Sequence, residues 1–470
     1  MSVLETMKKN AIFLLLLAYS IVAALTIIYF NGTGDSGDSY VHYQFAKFAP
    51  LHTNLFFNLW AKPVYVLLAC PFAQFGFIGI KIFNTVVSLL TIFLTFKIIK
   101  ELKIRNALVG ALILIFSPLC FVLTFSGLTE PLFALFIGVS IYAILKQRFV
   151  FACIVISFLP FVRSEGLIIL SVFTFYLLLK KEWKLLPLLL VGNVLYSITG
   201  FFIYHDFLWV FNEIPYARLS SNYGSGSLSH FVVQLLYVIG IPIYILFWIG
   251  ILSICRDSIS KKSSLEFQIL IFLGFLSFFI AHTLFWYFGI FNSMGLKRVL
   301  ISVAPLISII ALIGFNLITE SLFLHKNTLR KISGGIIVFA IILFPFTQNK
   351  AAINWQKELC LTEDQNIANR VSDYLKKLPQ HDQCYFFDNP FLSEGLLLDP
   401  FDSTKKMELT KDVISLARSG DILIWENWYA PVEHGVTKEF LDTNTELINL
   451  YNKNSLNNGQ DVLYSVYQRK

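Results

Sequence analysis

Long apolar runs separated by short polar or basic breaks fill most of this chain, and the rhythm stops near Lys350. A helix needs about 17–25 apolar residues to cross a bilayer. Eleven segments fit that pattern: 11–30, 81–99, 106–125, 131–146, 149–163, 166–180, 185–205, 231–254, 267–289, 298–318 and 333–348. The first follows Lys8 and Lys9 and shows no small-residue cleavage pattern before Asn31, so it reads as an uncleaved signal anchor. Val64 to Ile80 is also apolar, but Pro63 bounds it and Pro71, Gly76 and Gly79 interrupt it. Counting it as a span would move the basic stretch Lys97–Arg105 to the outer side. It therefore reads as an outer-leaflet or re-entrant segment.

Charge sets the orientation. The ends assigned to the cytoplasm hold 17 lysines and arginines, and the short outer loops hold seven. That bias places the N-terminus in the cytoplasm and the C-terminus outside, in a multi-pass protein of the plasma or inner membrane. The composition agrees, with 56% hydrophobic and only 14% charged residues. The net charge of +7 follows from topology and calls for no nucleic-acid partner.

Two outer loops interrupt the spans. Loop 31–62 opens with Asn31-Gly-Thr-Gly-Asp35-Ser-Gly-Asp38-Ser-Tyr40-Val-His42. Between Asp35 and Lys62, Tyr43, Phe45, Phe48, Leu55, Phe56, Leu59 and Trp60 recur at helical spacing, which predicts one or two amphipathic helices at the membrane surface. Loop 206–230 carries Glu213, Tyr216, Arg218 and a glycine-serine run from Asn222 through Tyr223 to His230. Such a run favours turns, as a substrate-gating loop or as a plain linker. Residues 349–470 have ordinary composition. A helix over Trp355–Leu378, strands at Cys384–Phe387, Asp421–Trp425 and Val462–Val466, and a helix over Thr410–Arg418 predict a small α/β domain. Cys360 and Cys384 lie in that outer domain, where a disulfide or two free thiols are both open readings.

Ionisable groups at a membrane boundary are costly and usually have a partner or a function. By this topology several share the outer side: Asp35 and Asp38 with His42, Glu130, Arg163 with Glu165, Arg218 and Tyr223 to His230, and Lys297 with Arg298. Sugar transfer to a hydroxyl needs a base to take the acceptor proton, and a carboxylate serves. A leaving phosphate needs cations or hydrogen-bond donors. Asp38 is the candidate base, with Arg218, Lys297, Arg298 and His230 as candidate phosphate ligands. Each group also has a plainer reading. The aspartates cap a helix beginning near Ser39, Arg163 and Glu165 pair with each other, Glu130 opens a helix, and Lys297 and Arg298 anchor at the interface.

The motifs and their order extend this reading. Gly37-Asp38-Ser39-x-x-His42-x-x-x-Ala46-Lys47, followed by Trp60-x-x-Pro63, resembles the first outer loop of GT-C integral-membrane glycosyltransferases, most of all their mannosyltransferase-like branch. Thr129-Glu130-Pro131 and Arg163-x-Glu165-Gly166 are similar to that branch's T-E-P and R-x-E-G elements, in the same order. The resemblance covers most of the membrane region. It implies an α-helical GT-C-like domain over 1–348 with an extracytoplasmic active site, and a polyprenyl- or dolichyl-phosphate sugar donor, with mannose as the sugar suggested. It also implies inversion at the sugar carbon, Asp38 at the catalytic position, and a glycan, lipid or protein acceptor, as in cell-envelope glycan assembly. Ser39 and Ser164 depart from the pattern. No D-x-D triplet is present, so a divalent metal is left open and no metal ligand is assigned.

A transporter or flippase of lipid-linked saccharides is the other class to weigh. It predicts internal repeats and charges near mid-membrane. The sequence shows no repeat, and its ionisable groups fall at the outer ends of spans. The enzyme is favoured.

Overall fold

A computed structural model describes residues 3–35, 37–215, 221, 223–259, 264–321, 327–379, 383–457 and 460–470. Arg218 and Tyr216 lie outside them. Each of the eleven predicted spans is helical. Among the described residues six helices are long and apolar enough to cross a membrane, or seven if the bent pair Ala107–Ile115 and Pro118–Thr124 is one span. The remaining segments are shorter apolar helices, so the count of eleven crossings rests on the sequence pattern. The first helix, α1 (Val3–Tyr29), turns Phe13, Leu17, Ile21 and Ile28 outward. Such an apolar outer face suits lipid.

The breaks have local causes. The bent pair turns by 66° where Pro118 starts the second helix: proline lacks an N–H, and Ser117 before it is extended. The predicted span 231–254 is two helices, His230–Ile239 and Ile241–Ile259, parted by Gly240 at φ +76°. Ile241–Ile259 packs closely on Ala304–Ser321. A Cβ on Gly250 would overlap the Ile310 carbonyl, and one on Gly314 the Leu246 carbonyl. Small residues at such a crossing let two backbones approach.

At one end of the bundle the chain leaves α1 and forms α2 (Asp38–Phe48), a 3-10 turn over Thr53–Phe57, α3 (Pro63–Ala73) and α4 (Gly76–Glu101). With 11 residues, α3 is too short to span, and it packs against α2 and α4. The amphipathic stretch departs from expectation. Instead of resting on a membrane surface, α2 is covered on both sides, with Ser39, Tyr40, His42, Tyr43, Gln44 and Ala46 buried.

The C-terminal part supplies the second cover. It holds five strands, β1 (Tyr385–Phe386), β2 (Lys406–Met407), β3 (Ile422–Glu426), β4 (Leu447–Asn457) and β5 (Gln460–Arg469), in the order β2-β1-β3-β5-β4. The first three are parallel; β5 is antiparallel to both β3 and β4. Strands β2 and β4 were not expected. The helix expected over Trp355–Leu378 is two, because Thr362 and Gln365 form a capping box that starts a new helix at Glu363. The helix expected over Thr410–Arg418 shrinks to Lys411–Ile414. Cys360 and Cys384 are free thiols.

This part grips the first loop along its length. Gly32 N–H donates to the Leu359 carbonyl at 2.7 Å, Leu361 N–H to Asn31 Oδ1 at 3.2 Å, and Gln365 Nε2 to Thr33 Oγ1 at 2.9 Å. Further along, Gln44 Nε2 donates to the Pro390 carbonyl at 2.6 Å, Lys47 pairs with Glu394 at 3.2 Å, and His52 meets Asp399 at 2.8 Å. The ring of Tyr40 packs on Phe391 and that of Phe45 on Phe401.

Candidate active site

Asp38 is the first residue of α2, and Gly37 caps the helix without a side-chain hydrogen bond. The capping role is therefore absent for both aspartates. Asp35 Oδ1 accepts the Gly37 N–H at 2.7 Å, which folds the loop back on itself. The other oxygens of the two carboxylates meet one residue: Arg298 donates to Asp35 Oδ2 from Nη1 and to Asp38 Oδ2 from Nη2. Its Nε lies 3.6 Å from Glu130. Ser39, a departure from the family pattern, secures the site locally. Its Oγ accepts the Gly127 N–H at 3.1 Å and ties α2 to the loop before Glu130.

Glu130 is fully buried. Arg163 Nη1 is 2.9 Å from it, but the aligned hydrogen bond from that nitrogen goes to Thr129 Oγ1 at 3.1 Å, and both Glu130 oxygens lack a well-oriented donor. Arg163 Nη2 donates to Glu165 at 2.8 Å. Arg163 thus bridges the T-E-P and R-x-E-G elements. Their pairing with one another and a place in the site go together.

Asp38, Glu130, Arg163, Glu165 and Arg298 line one cavity of about 480 Å³. One end is polar, with Asp38, His42, Lys62, Glu130, Arg163, Ser164, Glu165, His282 and Arg298. The rest is mostly apolar, including Leu167, Ile168, Ile214, Phe231, Phe285 and Phe291, with Asn292 and Ser293 beside them. Among the described residues several polar atoms facing this region accept or donate no hydrogen bond: His42 Nδ1, Arg163 Nε, His282 Nε2 and the Glu130 oxygens. Buried polar atoms are normally paired, so such a concentration points to a polar ligand group.

Two lining residues were missed by sequence reasoning. Lys62 stands at φ +67° directly before Pro63, a conformation that strains a lysine by about 1–3 kcal/mol. Among the described residues its ammonium makes only long bonds, 3.3 Å to the Leu59 carbonyl and 3.4 Å to Ser164 Oγ. His282, in the helix Gly274–Phe288, is 4.0 Å from Glu165 and packs on Phe278.

Charge is tuned accordingly. Burial works against ionisation of Asp38, but the Arg298 guanidinium holds its carboxyl below the ordinary range. Burial pushes the His42 imidazole down to about 3 despite the pull of Asp38, so it is neutral, and it stacks on Trp60. Burial lowers Lys62 to about 8, against the attraction of Glu165. Glu165, though buried, is brought to about 2 by Arg163 and then His282 and Lys62.

Other expected residues stand elsewhere. His230 bonds the Gly295 carbonyl at 2.7 Å and supports the loop that forms one cavity wall, without lining the cavity itself. Lys297 points to a smaller, separate cavity and lies 4.0 Å from Glu358. Tyr223 donates to Glu433 at 2.7 Å, linking the second loop to the C-terminal part. Among the described residues no group of three or more His, Cys, Asp or Glu side chains is placed to hold a metal ion. Asp35, Asp38 and Glu130 converge on Arg298.

Two crystal structures of ArnT from Cupriavidus metallidurans match this chain over nearly its whole length. The structure bound to undecaprenyl phosphate superposes with a TM-score of 0.61 at 11% identity, covering 97% of this chain and 98% of ArnT. The apo structure gives 0.63 at 10% identity over the same shares. The chain folds like ArnT. ArnT is a GT-C glycosyltransferase, so the helical architecture that the motifs implied is the one found, together with the C-terminal sheet that the strand pattern predicted. With its apolar helices, this fold makes the chain a multi-pass membrane protein. No family model and no curated protein matches the sequence.

Proposed function

We propose that the chain is a glycosyltransferase that moves a sugar from a polyprenyl- or dolichyl-phosphate donor to a hydroxyl of a glycan, lipid or protein on the extracytoplasmic side. One observation carries the reading: the Asp38 carboxylate faces a cavity where Lys62, Arg163 and Arg298 cluster with three carboxylates, and where the remaining lining is mostly apolar. A lipid-phosphate sugar has that same division. The undecaprenyl phosphate in one ArnT structure supports a lipid phosphate as the ligand here.

In this reading Asp38 takes the proton of the acceptor hydroxyl as its oxygen attacks the anomeric carbon. The carbon–oxygen bond to phosphate breaks, and the lipid phosphate leaves with that electron pair. Attack opposite the leaving group inverts the sugar carbon, and mannose is the sugar that the motif resemblance suggests. Lys62 and Arg298 stabilise the charge that builds on the phosphate. Glu130 and Glu165 hold Arg163 in place. Once phosphate competes for Arg298, the depressing charge on Asp38 weakens and its basicity rises. Lys297 and His230 act at a distance, through the loop 290–296 and the second cavity.

The test is transfer from a radiolabelled polyprenyl-phosphate sugar by Asp38→Asn protein that inserts normally. A general base contributes about 10²–10⁴-fold, and a loss of that size is expected. Retained transfer removes Asp38 from the mechanism. Exchange of intact lipid-linked sugar across liposomes with no new glycosidic bond would make the protein a transporter instead. A reporter fused after Lys350 that proves cytoplasmic would place the site on the wrong side.

A further inference from the structure

Gly37 is the residue before α2, at φ −115° and ψ −82°. The space around it is closed. A Cβ on Gly37 would overlap the hydroxyl oxygen of Tyr429, with Tyr429 Cζ at 3.4 Å and Asp35 Oδ1 at 3.8 Å. Tyr429 comes from the C-terminal part, so one of its side chains bears directly on the residue beside the proposed base.

Tyr429 is itself held. Buried Glu426, at the end of β3, accepts the Trp428 N–H at 2.7 Å and the Ala430 N–H at 2.9 Å. The backbone on both sides of Tyr429 is thus bonded to one carboxylate. At the other end of the short helix Tyr429–Glu433, Glu433 accepts the Tyr223 hydroxyl at 2.7 Å. A rigid ring on a doubly anchored turn cannot swing aside as a lysine would. Burial and the nearby Asp35, Asp364, Asp38 and Glu426 keep its phenol well above the usual range, so it meets the loop as a neutral hydroxyl. The hydrogen bonds of Asn31, Gly32 and Thr33 to residues 359–365 fix the same loop a few residues earlier.

We propose that Tyr429 is a positioning residue: its hydroxyl abuts Gly37, sets where α2 begins, and so aims the Asp38 carboxylate at the cavity. This rests on the glycosyltransferase reading. The C-terminal part then supports the active site from behind the first loop. It acts without touching substrate.

The test compares Gly37→Ala, Tyr429→Phe and the double variant in the full-length protein in lipid nanodiscs, measuring kcat, donor KM and melting temperature. Displacing a reacting group by about 1 Å costs on the order of 100-fold, so Gly37→Ala is expected to lose kcat on that scale with donor KM little changed. Tyr429→Phe removes the overlapping oxygen and keeps the ring, so the double variant should recover most of the lost kcat. A Gly37→Ala protein with wild-type kcat overturns the proposal, as does a double variant no better than Gly37→Ala alone. Where Gly37→Ala fails to fold, recovery of folding in the double variant supports it and continued failure overturns it. Wild-type protein that transfers no sugar would sink the glycosyltransferase reading, and the Gly37–Tyr429 contact would then be judged by melting temperature alone.

Discussion

Arg298 donates from Nη2 to Asp38 Oδ2, so the proposed base rests against the very cation that a phosphate substrate would seek. The same guanidinium donates from Nη1 to Asp35. A fork that occupies two carboxylates at once has fixed geometry, which a lysine cannot reproduce.

The two aspartates should separate on mutation. Asp38 lines the large cavity, whereas Asp35 lines only the smaller one and accepts the Gly37 N–H. Asp35→Asn keeps an acceptor for that N–H and leaves Asp38 in place, so its kcat should fall far less than that of Asp38→Asn. Equal losses in parallel transfer assays would mean that the pair works as one unit.

Activity should fall on the alkaline side near pH 8. Lys62 is lowered to about 8, so it loses its charge as pH rises through that value, and donor KM should increase there. Stability should move the opposite way. Between about pH 8 and the unfolded lysine value, the unfolded chain binds more protons than the native one, so unfolding free energy rises with pH. Lys62→Arg, charged throughout, should remove the alkaline rise in KM. A limb that stays near pH 8 in that variant assigns it to another group. On the acid side, Asp38 remains a carboxylate below the ordinary range, and neutral His42 adds no limb between pH 5 and 8.

Removing Arg298 should cost stability as well as rate. Arg298→Met leaves Asp35, Asp38 and buried Glu130 without their shared cation. A broken buried pair costs about 3–5 kcal/mol, and the partial exposure of Asp38 argues for the lower end. Adding Glu130→Gln should return part of the lost melting temperature, because it removes the most deeply buried of the three charges. No recovery would show that Arg163 alone compensates Glu130.

Reducing agent should leave the melting temperature unchanged, since Cys360 and Cys384 are free thiols. Cys384→Ser should cost about 1 kcal/mol, the usual size for a point substitution, because Cys384 is half-buried against the core of the C-terminal part. A large reductant-dependent shift would reveal a disulfide.

The sequence disclosed what depends on pattern. Apolar runs located the helices, three short motifs located Asp38, Glu130, Arg163 and Glu165, and the shared outer side added Asp35 and Arg298, residues that the fold does bring together. It could not disclose what depends on conformation. Lys62 reads as one more interfacial lysine until its left-handed backbone turns it into the cavity. His282 sits in an unbroken apolar run and reads as a packed side chain, and only Glu165 beside it says otherwise. Strand β4 carries asparagines through its second half, without strong apolar alternation, and takes its order from pairing with β5. The amphipathic face of α2 was visible, but its second covering comes from residues 390–401, too distant along the chain for periodicity to reveal.

The seam between the first loop and the C-terminal part also has a bearing on biogenesis. Synthesis delivers the loop early and its clamp late, with most of the membrane helices between them. A chain halted before residue 429 would carry Asp38 into the membrane without the surface that seats it. The loop can therefore reach its final seat only after the tail has been made.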